Sequence, residues 1–311
     1  MEAGQEVLKE TFNVITLRSN SLELEVIPWL GGSVGSFRAF GRDLFRPISD
    51  SDRQSQNVLG VSMFPMFPYA NRITNNEFIF EKVSYKFRAN NLPERYNVHG
   101  CSWKRVWSIG DTSERCANIF VEVTEHDQPY AYRAEQHFEL DENSLIVNLS
   151  IKNQKSRAMP FGFGLHPWFQ KSEDVTIKFD AKSFYLEEPD GVSGDIIVLP
   201  PELDFSTPKH LPIGWRNNNY GNWDGSAEII WHQERLKMNI EADSVFKNLM
   251  FYSDPKVLYF CLEPQTNASG AFNRDNGFSD KDQGIIILEP NEKIEGKIRF
   301  TPTINLALKE T

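Results

Sequence analysis

Two short segments carry the side chains best suited to proton transfer. His166 follows alternating Phe and Gly residues and precedes Pro167 and Trp168. Its imidazole has an ordinary pKa near 6.5 and can donate or accept a proton near neutral pH. Glu263 ends a nearly continuous apolar run and precedes a proline, and burial there would raise the pKa of its carboxyl group, which suits a general base. Each residue also has a structural interpretation, His166 as a core histidine and Glu263 as a salt-bridge partner.

Two further segments carry groups that bind polar ligands. The segment at residues 63–73 ends in Asn71, Arg72 and Ile73, and a guanidinium after an apolar run needs an oxygen-rich partner. A structural salt bridge explains Arg72 equally well. His99 lies between aromatic residues and is followed by Gly100, which allows close approach of a ligand or another backbone segment. A lone histidine of this kind is more often structural than catalytic.

The segments that must position these residues have the pattern of β-strands. Period-2 alternation of apolar and polar residues predicts half-buried strands. The predicted strands cover residues 20–28, 33–40, 77–87, 117–124, 133–139, 144–152, 175–179, 226–232, 236–241, 248–253, 257–263, 284–288 and 293–300. Helical periodicity over ten or more residues is absent, so we predict an all-β protein with a large antiparallel β-sandwich. Residues 200–225 are rich in Pro, Gly and Asn and predict a long loop, and without a clear linker we expect one domain over residues 1–311.

Composition excludes several classes of function. The 311 residues carry 33 basic and 43 acidic side chains, a net charge of −10, which argues against binding nucleic acid or anionic lipid. Three cysteines without close spacing argue against a disulfide framework or a zinc knuckle. The polar start and the lack of a long apolar stretch lead us to expect neither a signal peptide nor a membrane span, and a cytoplasmic location.

Taken in order, the four segments resemble the galactose mutarotase-like superfamily and, within it, the aldose 1-epimerases. The resemblance extends from about residue 21 to about residue 301. A final turn with Pro290 also fits this pattern. The matching motifs are Asn71-Arg72-Ile73, His99-Gly100, His166-Pro167-Trp168-Phe169 and Glu263-Pro264-Gln265.

This resemblance implies a β-supersandwich with a sugar-binding cleft and interconversion of the α and β anomers of a free aldose. Glu263 would be the base that takes the proton of the C1 hydroxyl, and His166 the acid that protonates the ring oxygen. No metal or organic cofactor is implied. The implied sugar-binding residues are Arg72, His99, Asp224, Asn71, Trp168 and Gln265. Aromatic residues suited to the apolar face of a pyranose are Phe67, Tyr69, Trp103 and Trp168.

The sequence departs from the family pattern at three places. Gln170 stands where the family often has Asn, residues 266–269 replace a common Pro-Asp pair, and Asp224 lacks the histidine that usually follows it. These changes spare the expected acid and base. They leave the identity of the sugar open, and with it the assignment of Asp224 as the loop carboxylate.

Three alternative functions remain open at this point. A hexose-phosphate 1-epimerase would need clustered cations for the phosphate, and the candidates are Arg42, Arg46, Arg53, Arg72 and Arg95. A glycoside-cleaving enzyme would use two carboxylates about 5–10 Å apart, such as Glu263 and Asp224. A non-catalytic carbohydrate-binding protein would not need both His166 and Glu263. The six histidines show no metal-ligand spacing, and the oligomeric state is left open.

Overall fold

The architecture consists almost entirely of antiparallel strands. A computed structural model describes residues 13–124, 129–275, 277–279 and 281–304. Its strands are β1 (Ile15–Ser19), β2 (Leu22–Ile27), β3 (Ser33–Ala39), β4 (Arg42–Asp43), β5 (Met63–Met66), β6 (Arg72–Ile73), β7 (Glu77–Phe80), β8 (Val83–Lys86), β9 (Asn97–Val98), β10 (Ser108–Thr112), β11 (Cys116–Val123), β12 (Tyr132–Leu140), β13 (Leu145–Asn153), β14 (Met159–Phe161), β15 (Gly164–Gln170), β16 (Val175–Phe179), β17 (Ser183–Glu187), β18 (Ser193–Ile197), β19 (Lys209–His210), β20 (Arg216–Gly221), β21 (Ser226–Trp231), β22 (Leu236–Ala242), β23 (Asn248–Ser253), β24 (Tyr259–Gln265), β25 (Ile286–Leu288) and β26 (Lys293–Ile304).

Two large sheets contain most of these strands. The first sheet has the order β1-β2-β3-β5-β15-β24-β23-β20-β17-β18, with β4 paired to β3. The second has the order β10-β11-β12-β13-β26-β22-β21-β16-β19. Three two-stranded pairs, β14-β25, β6-β9 and β7-β8, complete the pairing. The predicted all-β class and large antiparallel sheets are therefore confirmed.

In the part of the chain that the structure describes, helical structure is confined to short segments. One α-helix, α1 (Asp50–Gln54), begins after Ser49, whose hydroxyl accepts the N–H of Asp52. The described 3₁₀ turns are Val58–Gly60, Thr74–Asn76, Ser102–Lys104, Pro201–Leu203, Ala271–Asn273 and Lys281–Gln283. Within the described ranges, no helix is long and apolar enough to cross a membrane.

The two faces of the first sheet pack against different apolar clusters. Successive side chains of a strand point to opposite faces. On β24, Phe260 and Leu262 point into the main core between the large sheets. Cys261 and Glu263 therefore point to the outer face. That face contacts a second, smaller cluster that includes Phe64 and Trp103. The polar candidates are thereby kept out of the main core.

Two predicted elements differ from the structure. Residues 77–87 were predicted as one strand, but they form the β7-β8 hairpin, in which Glu81 and Lys82 both have positive φ values, 50° and 65°. Two consecutive left-handed residues reverse the chain direction tightly. Residues 200–225 were predicted as a loop, but they contain β19 and the largely buried β20. The three consecutive Asn residues of β20 place polar side chains on both faces of the strand. This run therefore obscures the alternation of apolar and polar residues that predicts a strand.

Candidate active site

His166 and Glu263 face each other across two adjacent strands. Register pairs Gly164 with Gln265 and Trp168 with Cys261, so antiparallel alignment puts His166 opposite Glu263. Nε2 of His166 lies 3.2 Å from Oε1 of Glu263. His166 is 9% exposed and Glu263 only 2%. The structure therefore brings the predicted acid and base into direct contact.

Burial favours the uncharged form of each member of this pair. Loss of hydration, opposed by the charge of Arg72, raises the pKa of Glu263 well above its ordinary range. Loss of hydration, together with the nearby charge of Arg46, lowers the pKa of His166 to about 3. In this uncharged pair the carboxyl group of Glu263 can donate its proton to Nε2, and the neutral imidazole then carries its own proton on Nδ1. Nδ1 of His166 is buried and has no hydrogen-bond partner among the described residues.

His99 is fixed beside this pair by the backbone of Asn71. The N–H of Asn71 donates to Nδ1 of His99 at 3.1 Å, and the N–H of His99 donates to the carbonyl of Asn71 at 2.9 Å. Burial lowers the pKa of His99 well below its ordinary value, and the positive charge of Arg72 acts in the same direction. A neutral imidazole that accepts at Nδ1 carries its proton on Nε2. Its ring centroid lies 5.5 Å from that of His166, so His99 offers a donor next to the pair.

Arg72 is held by a network that leaves little of its guanidinium free. Nε and Nη2 donate to Oε2 of Glu94 at 3.1 and 2.7 Å. Nη1 donates to Oδ1 of Asn71 and to the carbonyl of Gly191. Four hydrogen bonds within the described residues leave one of the five N–H groups for a ligand. The salt-bridge interpretation of Arg72 is thus borne out, and it does not exclude a binding role.

Comparison with known proteins places this site in a known family. A model of the family "Aldose 1-epimerase" matches residues 13–301. The Escherichia coli K12 protein named uncharacterized protein YphB is 32% identical over 288 residues, which cover 90% of this chain and 95% of that protein. The chain belongs to the aldose 1-epimerase family. The resemblance seen in the sequence motifs is therefore confirmed.

Solved structures of similar proteins agree with membership of the aldose 1-epimerase family. A crystal structure of an E. coli K12 protein, provisionally described as an aldose 1-epimerase, has a TM-score of 0.87 at 29% identity and covers 94% of this chain and 99% of that one. A galactose mutarotase-like protein from Clostridium acetobutylicum has a TM-score of 0.81 at 18% identity, with 94% and 96% covered. The latter similarity shows the shared fold.

Gln265, a predicted binding residue of this aldose 1-epimerase family member, is part of a buried chain of amides. Its Nε2 donates to Oδ1 of Asn219 at 2.8 Å, and Asn219 donates to Asn248. Nδ2 of Asn71 lies 3.5 Å from Oε1 of Gln265. Because Gln265 is fully buried and these bonds engage its amide, it fixes the position of its neighbours. Direct contact of Gln265 with a sugar stays a prediction.

Asp224 lies in the turn that leads into the second sheet. Its side chain is exposed, Oδ1 accepts the N–H of Ser226, and its own N–H donates to the carbonyl of Asp180. This is an Asx turn at the start of β21. Among the described residues its contacts are with this turn and not with His166 or Glu263. The sugar-binding role of Asp224 stays a prediction, one that this position does not support.

The aromatic candidates differ in their surroundings. Phe67 and Tyr69 belong to the main core, and Trp103 is buried in the smaller cluster, so none of these three presents a ring face to solvent. Trp168 is partly exposed and stacks on His166, with ring centroids 5.1 Å apart and an interplanar angle of 27°. Of the four, Trp168 is placed to meet a ligand.

Three residues beside Trp168 on the outer face, Cys261, Tyr252 and Asn217, were not singled out from the sequence. Register aligns Trp168, Cys261, Tyr252 and Asn217 across β15, β24, β23 and β20. Nδ2 of Asn217 donates to Oε1 of Glu187 at 2.7 Å. These residues extend the polar surface beyond the pair. The only sequence signal was the alternation within residues 216–221, which the run of Asn obscured.

His166, Cys261 and Glu263 also have the residue types of a metal site. One potential ligand atom from each lies within 4.8 Å of the others. Positive charge acts on all three, from Arg46 on His166 and Cys261 and from Arg72 on Glu263. Such charge opposes binding of a dication. The expectation that no metal is used stays a prediction, and this charge distribution agrees with it.

Proposed function

We propose that the protein interconverts the α and β anomers of a free aldose, with Glu263 as general base and His166 as general acid. The contact of 3.2 Å between the two side chains supports this proposal most directly. Ring opening requires one group that accepts the C1 hydroxyl proton and one that protonates the ring oxygen. Two adjacent groups that share one proton meet this requirement without a cofactor.

Transfer of the shared proton from Glu263 to His166 prepares the pair for reaction. It produces a carboxylate and an imidazolium without changing the net charge of the site. The positive charge of Arg72 favours the carboxylate form of Glu263. The carboxylate then takes the proton from O1 while the imidazolium protonates O5. After rotation about the C1–C2 bond, closure on the other face of the carbonyl reverses both transfers.

His99 and Arg72 are the donors best placed to hold the sugar. Nε2–H of His99 lies beside the pair, and Arg72 has one N–H available. Both are held by groups that do not take part in the reaction, the backbone of Asn71 and the carboxylate of Glu94. Such preorganised donors orient a substrate without reorganising on binding.

A free aldose is favoured over a phosphorylated one by the partners of the cations. Arg42 pairs with Glu234, Arg53 with Glu25 and Arg72 with Glu94. Each of these three charges is balanced by a carboxylate on a different element. Of the other two candidates, Arg46 already donates to the carbonyls of Val61 and Leu59, and Arg95 lies over the ring of Tyr96. Phosphate binding needs clustered cations with free donors. The glycoside-cleaving alternative loses support because it relied on Asp224.

Polarimetry on freshly dissolved α-D-glucose and α-D-galactose tests the proposal. We expect the wild-type protein to accelerate the change in rotation and Glu263→Gln to lose this acceleration. Glu228→Gln is the matched control, because Glu228 pairs with Lys237 on the second sheet. An active Glu263→Gln variant would contradict the mechanism. Activity on glucose 6-phosphate alone, or cleavage of an aryl glycoside, would favour the corresponding alternative.

A further inference from the structure

His166 is part of a series of ring contacts that ends in a cation at each side. Its ring stacks on Trp168 and on Phe64, with the Phe64 centroid 4.5 Å away at an angle of 28°. Phe64 in turn stacks on Trp103, at 5.3 Å and 27°. The guanidinium carbon of Arg46 lies 4.3 Å from the centroid of Trp168. Nζ of Lys104 lies 4.5 Å from Trp103, so the imidazole occupies an inner position of the series.

Arg46 is joined to Trp168 through the backbone as well as the ring. The N–H of Arg46 donates to the carbonyl of Trp168 at 2.8 Å, and the N–H of Trp168 donates to the carbonyl of Ser62 at 2.9 Å. The hydroxyl of Ser62 donates to the carbonyl of Arg46. These bonds fix the backbone of both residues, so the guanidinium is held over the indole.

The charge of Arg46 is not balanced by a carboxylate in contact with it. Its guanidinium donates to the carbonyl oxygens of Val61 and Leu59, and within the described residues it forms no ion pair. Burial lowers the pKa of Arg46 from its ordinary value. Arg46 is half-buried, and a partly desolvated cation without a paired anion costs stability. The hydrogen bonds to Val61 and Leu59 satisfy its N–H groups but leave its charge without a paired anion in the described part of the chain.

We propose that Arg46 is a positioning residue of the reaction: its guanidinium holds the Trp168 ring, and through it the His166 ring, in the orientation that faces Glu263, and it supplies positive charge beside the acid. This inference rests on the proposed function for its catalytic meaning. The effect of Arg46 on the orientation and titration of His166 can be measured without any enzymatic activity.

The positive charge of Arg46 makes protonated His166 a stronger acid. The titratable and charged groups near His166 are Glu263 and Cys261 on β24, His99 after β9, and Arg46 after β4. The charge of Arg72 acts on Glu263 and His99. Among these, Arg46 is the charge that lowers the pKa of His166 beyond the effect of burial. A unit charge on the far side of one intervening ring shifts a pKa by about one unit at an effective dielectric constant of 20. An imidazolium destabilised in this way gives its proton to the ring oxygen more readily.

The test compares Arg46→Gln and Arg46→Lys with the wild type. Gln keeps a planar donor for the carbonyl of Val61 but removes the charge, whereas Lys keeps the charge but not the planar group that covers Trp168. Arg133→Met is the matched control, because Arg133 lies 3.8 Å from the ring of Phe120 on the second sheet. NMR of labelled histidine side chains follows the titration of His166, whose signal is assigned by its loss in His166→Gln.

In Arg46→Gln we expect the pKa of His166 to rise by about one unit, and kcat to fall about 10- to 100-fold with little change in KM. In Arg46→Lys we expect the pKa of His166 to equal that of the wild type and kcat to lie between those of the wild type and Arg46→Gln. Arg133→Met should match the wild type in both measurements. Unchanged titration or unchanged kcat in Arg46→Gln would overturn the proposal.

The outcome remains decisive if one part of the design fails. Should melting curves show that Arg46→Gln does not fold, Arg46→Lys decides, because a kcat equal to that of the wild type would show that the planar contact with Trp168 has no role. Should the wild type lack epimerase activity, the proposed function fails. The NMR titration then still shows whether Arg46 controls the charge of His166.

Discussion

Oε1 of Glu263 lies 3.2 Å from Nε2 of His166, and both side chains are buried on the outer face of the first sheet. This relationship puts two groups with opposite charge preferences in one low-dielectric site. Burial raises the pKa of Glu263 and lowers that of His166, so the free protein holds an uncharged pair that shares the carboxyl proton of Glu263. The pH dependence of activity and of the free energy of unfolding should both depend on whether this shared proton is bound.

Replacement of Glu263 by Gln should abolish activity and stabilise the protein at neutral and alkaline pH. Loss of the general base lowers kcat by about 10²- to 10⁴-fold. The folded-state pKa of Glu263 is raised, so the free energy of unfolding contributed by this group is fully present below pH 4.5 and is lost as pH rises through the folded-state pKa. Gln carries no such titration.

Thermal denaturation as a function of pH measures this effect on stability. We expect the melting temperatures of Glu263→Gln and wild type to be similar near pH 4 and to diverge as pH rises, with the variant melting higher. Glu228→Gln, which alters a pair on the second sheet, should show no such divergence. A Glu263→Gln variant that melts lower than the wild type at pH 8 would show that Glu263 is not a destabilising buried acid.

The pH dependence of activity should lack a transition at the ordinary histidine value of 6.5. The working pair is uncharged and shares one proton across its contact, and activity is lost when a further proton binds or when the shared proton leaves. Binding of the further proton is governed by His166, whose pKa is about 3. Loss of the shared proton is governed by Glu263, whose pKa is raised well above its ordinary 4.5.

The measurement is kcat/KM by polarimetry, corrected at each pH for the uncatalysed rate. We expect a plateau that extends below pH 5, an acid limb near pH 3 and an alkaline limb above the ordinary range of a glutamate. An acid limb near pH 6.5 would mean that His166 titrates as an exposed imidazole does. The same profile for Arg133→Met serves as a control for charge far from the site.

Glu94 should control substrate binding through Arg72. Its Oε2 accepts two hydrogen bonds from Arg72, and both side chains of this ion pair are only 19% exposed. Glu94→Gln removes the negative charge that holds the guanidinium of Arg72. Loss of one partner of a largely buried ion pair costs more free energy than loss of a partner in an exposed pair. We therefore expect KM to rise about tenfold and kcat to change less. Glu122→Gln, which loosens the exposed pair with Arg133, is the control. An effect on kcat alone would place Arg72 in the chemical step.

Strand alternation and residue chemistry made part of this structure predictable. A period of two identifies half-buried strands from local sequence, and for that reason the segment that ends at Glu263 could be recognised as a buried strand with a carboxylate at its end. The contact of Glu263 with His166 depends on the pairing of β15 with β24, which no local pattern specifies. The family resemblance, and not the periodicity, brought these two residues together.

The contacts that sequence analysis missed depend on long-range pairing. Arg46 contacts Trp168 because the segment after β4 pairs with β15, and neither residue carries a local sign of this contact. In residues 216–225 the only carboxylate, Asp224, was assigned by its place in the family pattern. The outer face carries Asn217 instead, because strand alternation and not charge decides which side chain of β20 points there.

Gly100 should be essential for the fold around His99. It has a φ of 64°, and a Cβ atom built there would lie 2.2 Å from the carbonyl oxygen of Phe67. Gly100→Ala therefore meets both a left-handed backbone and a backbone clash, so we expect a loss of more than about 2 kcal/mol in the free energy of unfolding. Gly41→Ala separates the two causes, because Gly41 has a φ of 76° but nothing within 4 Å of the added Cβ. For Gly41→Ala, urea denaturation should show a loss of only about 1–2 kcal/mol in the free energy of unfolding. Equal losses in the two variants would show that the contact between residue 100 and Phe67 is not tight.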